Sequence, residues 1–326
     1  MGKKIALSFC MSLTAALFMS CATSVAAKVM RPAELDLQGA ETIAVLPFSE
    51  SYRSTYYNSG RLNALELISS KSRGSDQDSK TKQAVCDYIS NALEEGLAGQ
   101  SFYNLQNSTL VRMNLEQGKP SPADLYITGY ISQYRDDLTV DESDDADKST
   151  ACQRDVNMTI VYQIVDAETG TVVHRDSEMF SERDSQSNVD ELKTATELLK
   201  VSLDSFVDGL LKKIQPYEEK VYYTLMADKT KNPDMKEAEK LAKKGSVSEA
   251  EEMFSRIYED TGNPAAGYNA AILLEAQGDL YAARDLMEKV FQQTEDKKAK
   301  KALDNINREI ESAKRLNNQT AGRGVN

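Results

Sequence analysis

The chain has 326 residues, with 51 acidic against 39 basic side chains, a formal net charge of −12, one histidine and four cysteines. So acidic a surface, with no basic stripe interleaved with aromatics along the sequence, excludes nucleic acid as a partner and leaves electrostatic adhesion to anionic lipid without a source. The length accommodates two domains, and neither the lone His174 nor any cysteine stands at metal-ligand spacing.

Lys3 and Lys4 precede an apolar stretch over residues 5–19. That is the pattern of a secretory signal, since a spanning helix needs roughly 20 apolar residues to cross the hydrocarbon core. Two cleavage points are open. Ser20-Cys21, in "LFMSCATS", resembles the lipobox of bacterial lipoproteins, with Phe18 where Leu is usual; Val25-Ala26-Ala27 suits an ordinary signal peptidase. The first is the expectation adopted: residues 1–20 are removed, Cys21 carries the acyl chains, and residues 21–40 are a polar extended tether. Acyl chains then supply the membrane attachment that an acidic surface cannot.

From residue 41 to residue 226 the pattern predicts an α/β domain. "ETIAVLPF" (41–48) is a first core strand; 49–79 is a long loop with a short helix at 61–69; Ala84, Tyr88, Ile89, Ala92, Leu93 and Leu97 recur at helical spacing and predict a helix over 80–98. "FYNLQN" (102–107) and "DLYITGYIS" (124–132) read as strands, and the acidic run over 135–149 as a solvated loop without calcium-loop spacing. Val156, Met158, Ile160, Tyr162 and Ile164 alternate with more polar neighbours, "DAETG" (166–170) turns the chain, and "TVVHRDSEMF" returns, which predicts a half-buried antiparallel hairpin. A helix marked by Leu192, Leu199, Leu203, Phe206, Leu210 and Ile214 follows and stops before Pro216. The order β, α, β, β, β, β, α predicts a mixed sheet with packed helices.

Residues 233–316 carry an internal repeat. Ala238, Leu241, Gly245, Ala250, Phe254 and Ile257 return at a constant offset as Ala271, Leu274, Gly278, Ala283, Met287 and Val290. "AILLEAQGDLYAARDLMEKV" (271–290) resembles a tetratricopeptide repeat, with Gly278-Asp279 as the inter-helix turn. The first copy fits with Ser246 in place of Asp. Ala299, Ala302, Leu303, Ile306, Ile310 and Ala313 mark a capping helix, and the polar tail 317–326 is expected to be disordered.

Chemistry has few carriers. No phosphate loop, dinucleotide fingerprint, zinc-protease or serine-hydrolase motif is present, His174 reads as a solvent-facing strand residue, and Ser79 to Lys82 matches SxxK without its partner motifs at what reads as a helix start. No enzyme activity, cofactor, metal or small-molecule substrate is therefore expected. Cys86 and Cys152 remain once Cys10 and Cys21 are set aside; in an exported chain they are either a disulfide or two separate buried thiols.

"RPAELDLQGAETIAVLPF", the turn in "YQIVDAETGTVVHRDS" and the closing helix together resemble the α/β domain of the curli assembly and transport (CsgG-type) lipoprotein family, a fold also used by lipoproteins that activate cell-wall synthases. The resemblance implies a periplasm-facing, outer-membrane lipoprotein. It does not carry over the family's pore: residues 171–180 place His174, Asp176 and Glu178 on one face and Arg175 on the other, and Arg at mid-bilayer costs roughly 2–4 kcal/mol. The expectation is a non-catalytic, lipid-anchored scaffold that holds a protein partner through its repeats, with Tyr268 and Asn269 as contact residues on helices near 236–243 and 268–276. A secretion-channel component or a synthase activator is the alternative.

Overall fold

The computed structural model describes residues 23–37, 39–51, 57–58, 61–62, 76–141, 151–321 and 323. Cys21 and the expected leader lie outside them, as do residues 142–149 of the acidic run and most of the helix expected at 61–69. In chain order the elements are β1 (Ser24–Arg31), β2 (Thr42–Val45), β3 (Tyr57–Asn58), β4 (Arg61–Leu62), α1 (Asp76–Ala98), β5 (Asn104–Leu105), α2 (Ser108–Glu116), β6 (Leu125–Asp141), β7 (Ala151–Asp166), β8 (Val172–Gln186), a 3₁₀ turn (Val189–Glu191), α3 (Ala195–Ile214), β9 (Tyr217–Thr224), α4 (Pro233–Lys244), α5 (Val247–Thr261), α6 (Pro264–Gln277), α7 (Leu280–Thr294) and α8 (Lys297–Thr320). They divide into two compact units, each discontinuous in sequence: an α/β unit of residues 30–217 and 313–326, and a helical unit of residues up to 29 with 218–312. The fold is thus mixed α/β, and among the described residues no helix is long and apolar enough to cross a membrane.

In the α/β unit the sheet order is β5-β2-β6-β7-β8, with β2 parallel to both β5 and β6 and the remaining pairs antiparallel. The alternation expected over 156–164 is realised: Val156, Met158, Ile160, Tyr162 and Ile164 are buried against α1 and α3, which supply Ile89, Leu93, Leu97, Leu199, Leu203 and Leu210. One face of a strand is buried because its side chains point alternately to the two sides of the sheet. The opposite face is covered by α2 through Val111 and Leu115, packed on Ala44, Leu46, Tyr126 and Val165.

Four expectations in this unit are corrected. The strand at 102–107 shrinks to Asn104–Leu105, and α2 follows it, capped by Asn107, whose side chain accepts from the Leu110 N–H. Residues 61–62 pair with 57–58 as a short hairpin instead of opening a helix. The acidic run begins as strand, because β6 extends to Asp141 and Arg154 on β7 grips Asp136 with two hydrogen bonds of 2.8 and 2.9 Å. The tail is ordered through residue 321: Gln319 accepts from the Ala33 N–H at 2.8 Å and donates to the Ala33 and Leu35 carbonyls, while Arg323 stacks on Phe102 at 4.2 Å and donates to the Ala40 and Phe102 carbonyls.

In the helical unit α5 packs against α4 and α6, and α6 against α7. Asn232 and Asn263 cap α4 and α6 ahead of prolines at the first helical position, and Gly245 and Gly278 end the same helices in the left-handed conformation at φ 87° and 86°. That backbone favours glycine because no Cβ collides. The repeat-matched pairs Ala238 with Ala271, Ala250 with Ala283, Phe254 with Met287 and Ile257 with Val290 are all buried in one core. Within the tether expected over 21–40, Ser24–Arg31 form the strand β1, which pairs with β9; the Leu225 N–H donates to the Thr23 carbonyl at 2.8 Å.

Candidate functional site

A groove of about 540 Å³ opens along the helical unit between β9, α6 and α8. Its wall on β9 runs from Val221 to Thr224, Tyr268, Ile272 and Glu275 come from α6, and Lys298, Lys301, Asn305, Arg308 and Glu309 from α8. Helix α8 is basic at its start, and its periodic apolar residues Ala299, Ala302, Ile306 and Ile310 are buried, which turns Lys298, Lys301 and Arg308 outward. Tyr222 is 63% exposed. Tyr268 is half-buried, and its phenol is pushed above its ordinary pKa by burial, then by the nearby carboxylates of Glu275 and Asp296, so it stays a neutral hydrogen-bonding group. Lys298 and Lys301 make no ion pair among the described residues. The groove thus joins three tyrosines, Tyr222, Tyr223 and Tyr268, to three exposed cations and two carboxylates, Glu275 and Glu309, on a chain that is acidic as a whole.

Asn269, the neighbour expected to share binding with Tyr268, has another occupation. It is fully buried; its Oδ1 accepts the Met226 N–H at 2.6 Å and its Nδ2 donates to the Met226 carbonyl at 2.9 Å. Both ends of the carboxamide are therefore spent on the half-buried backbone of Met226. Helix α6 is likewise a central element, with buried residues from Ala265 round to Glu275, and not an open concave face. No sequence signal could have shown Asn269's partner, since an amide beside an aromatic reads the same whether it faces a ligand or a main chain.

A second cluster lies in the α/β unit. Lys213 on α3 donates to Tyr162 Oη at 2.9 Å and to Asp176 at 2.8 Å, in a cleft with Phe180, Phe206 and Gly209 among its lining residues. Burial works against the ammonium, but its hydrogen bonds to Asp176 and Tyr162 outweigh it and raise the pKa, while Lys213 holds Asp176 below the ordinary carboxylate range. These two hydrogen bonds tie α3 to β7 and β8. His174 sits beside it, half-buried with its ring centroid 5.8 Å from that of Tyr162. Ser79, expected at a helix start, lies inside the first turn of α1 and donates to Glu50 at 2.7 Å.

Cys86 and Cys152 are free, buried thiols, not a disulfide. Burial, with Glu50 and Asp87 adding, pushes the Cys86 thiol up to about 12. Among the described residues no cluster of histidine, cysteine and carboxylate side chains could hold a metal ion.

No protein family profile matches the sequence, and no curated protein does. Among solved structures the chain is similar to the PelC dodecamer from Paraburkholderia phytofirmans, at 12% identity over 59% of this chain and 99% of that one, TM-score 0.29. It is also similar to a minor lipoprotein from Acinetobacter baumannii, at 10% identity over 54% and 92% of the two chains, TM-score 0.27. A third is lipoprotein GNA1162 from Neisseria meningitidis, at 12% identity over 52% and 96%, TM-score 0.25.

Proposed function

We propose that this chain is a non-catalytic, lipid-anchored protein of the cell envelope that holds a protein partner in the groove between β9, α6 and α8. The groove carries the reading: it offers exposed aromatic and cationic side chains on a rigid frame of packed helices. Helices α4 to α7 are read as two tetratricopeptide-type repeats with α8 as their cap, supported by the constant offset of the matched residues and by the left-handed glycine ending the first helix of each repeat. The α/β unit is read as a docking module of the curli-lipoprotein type, supported by its mixed sheet with α1 and α3 on one face. Cys21 supplies the anchor, and the outer membrane, facing the periplasm, is its place.

A photo-crosslinking residue at position 222 of the full lipidated chain, activated in intact cells, tests this. The expected result is one discrete protein adduct, lost when Tyr268→Ala is added. Adducts that form equally from position 173 on β8, or that survive Tyr268→Ala unchanged, would move the partner off the groove.

A further inference from the structure

We infer that the groove takes an acidic segment in extended conformation, which adds as a strand to the open edge of β9. The inference rests on the reading of the groove as a partner site and names the chemistry of its occupant.

The backbone argument starts at the end of β9. The Leu225 N–H points to β1, where it meets the Thr23 carbonyl. Main-chain groups alternate sides along a strand, so those of Met226 point the other way, and there both are taken by the Asn269 carboxamide. A carboxamide that accepts one N–H and donates to the same residue's carbonyl occupies the place of a neighbouring strand's peptide group. By the same alternation the N–H and C=O of Thr224 and Tyr222 face the side that Asn269 occupies, and both residues line the groove. Among the described residues β9 pairs with β1 alone, so this second edge is open. Asn269 thus stands as the first rung of a ladder that an incoming extended segment would continue.

The charge of the occupant follows from α8. Lys298, Lys301 and Arg308 line the groove beside Glu275, which is buried, and Glu309, so cations outnumber carboxylates there, whereas the chain as a whole carries −12. An acidic segment is repelled by the average surface and attracted where cations outnumber carboxylates, as they do along this groove, which favours its docking here. A basic segment would be drawn to most of the surface and repelled here. Tyr222 and Tyr268 offer apolar faces to the alternate side chains of a strand lying between them.

The test uses the full chain and two fluorescein-labelled nonapeptides, one alternating glutamate with valine and one alternating lysine with valine, read by anisotropy. The glutamate peptide should bind, and Lys298→Glu with Lys301→Glu should weaken it on the order of tenfold, since each exposed attraction becomes a repulsion. Both lysines are exposed, and an unchanged melting temperature verifies that the double variant folds. N-methylation of alternate amides in the peptide should abolish binding in one of its two registers, which a purely electrostatic contact would not show. Equal binding of the two peptides, or indifference to both charge reversal and N-methylation, overturns the inference. So does capture of anionic vesicles through the same lysines without peptide binding. If the crosslink at position 222 finds a protein while the peptides show no charge preference, the occupant is wrong and the groove stands; peptide binding without any crosslinked protein reverses that outcome.

Discussion

Replacing Asn269 by leucine separates a structural carboxamide from a binding one. Leucine keeps the buried volume filled, so little cavity forms and the change removes chiefly the two hydrogen bonds to Met226, of 2.6 and 2.9 Å. Each main-chain group left without a partner costs about 1–3 kcal/mol when buried. Met226 is half-buried, so water recovers part of that loss, and the lower half of the range for each group gives a destabilisation of about 2–4 kcal/mol. Tyrosine fluorescence, in a chain without tryptophan, follows the unfolding in urea, and hydrogen exchange at the Met226 amide reports the local opening. The midpoint should fall, and exchange at Met226 should accelerate by more than tenfold. A variant with wild-type stability and a still-protected Met226 amide would refute the assignment, as would loss of a crosslinked partner with stability intact.

Cys21→Ala should move the chain from membranes to the soluble fraction, and a variant that stays membrane-bound in carbonate wash would refute the acyl anchor. Gly129→Ala should destabilise the α/β unit by about 1–3 kcal/mol, because the new Cβ would lie 2.7 Å from Phe48 Cδ1 and 2.8 Å from the Val161 carbonyl oxygen; thermal melts check it. Burial disfavours the charged Asp228 carboxylate, but hydrogen bonds from Thr230, Asn263 and Asn232 overcome this and hold its pKa at about 2, below the ordinary 3.8. Its stabilisation is therefore complete above pH 4 and lost as the pH falls toward 2, so the melting difference between the wild type and Asp228→Ala should shrink across that window and stay flat above it. Cys86, with its thiol pushed up to about 12, should resist iodoacetamide at pH 8 in the native protein and react on unfolding; modification in the native state would contradict its burial.

What could be read in advance followed the hydrophobic signal. The strand β7 was legible because burial of a single sheet face imposes a period of two on Val156 to Ile164, and the repeats because packed helices demand small residues at Ala238, Ala250, Ala271 and Ala283. Helix α2 escaped notice because it buries only Val111 and Leu115, although Asn107 ahead of it and Gly118 behind it mark its ends. The docked tail escaped for a different reason: Arg315, Gln319 and Arg323 hold it by hydrogen bonds to carbonyls of residues 33–40 and 102, contacts that leave no apolar pattern. The groove was half legible. The lysines of α8 and the tyrosines of β9 are plain in the sequence, but no apolar period shows that residues 221–224 lie against α6 and α8.

The ribbon of β1 and β9 sets the order in which this chain can mature. Thr23 and Leu225, joined by a hydrogen bond, stand about 200 residues apart, so β1 leaves the ribosome long before its partner exists. Until then its unpaired edge is exposed while the α/β unit is being made, and the helical unit cannot close its core over Val25 before residues 221–225 arrive. A chaperone that shields short apolar strands would therefore have its longest window on this protein at its amino end.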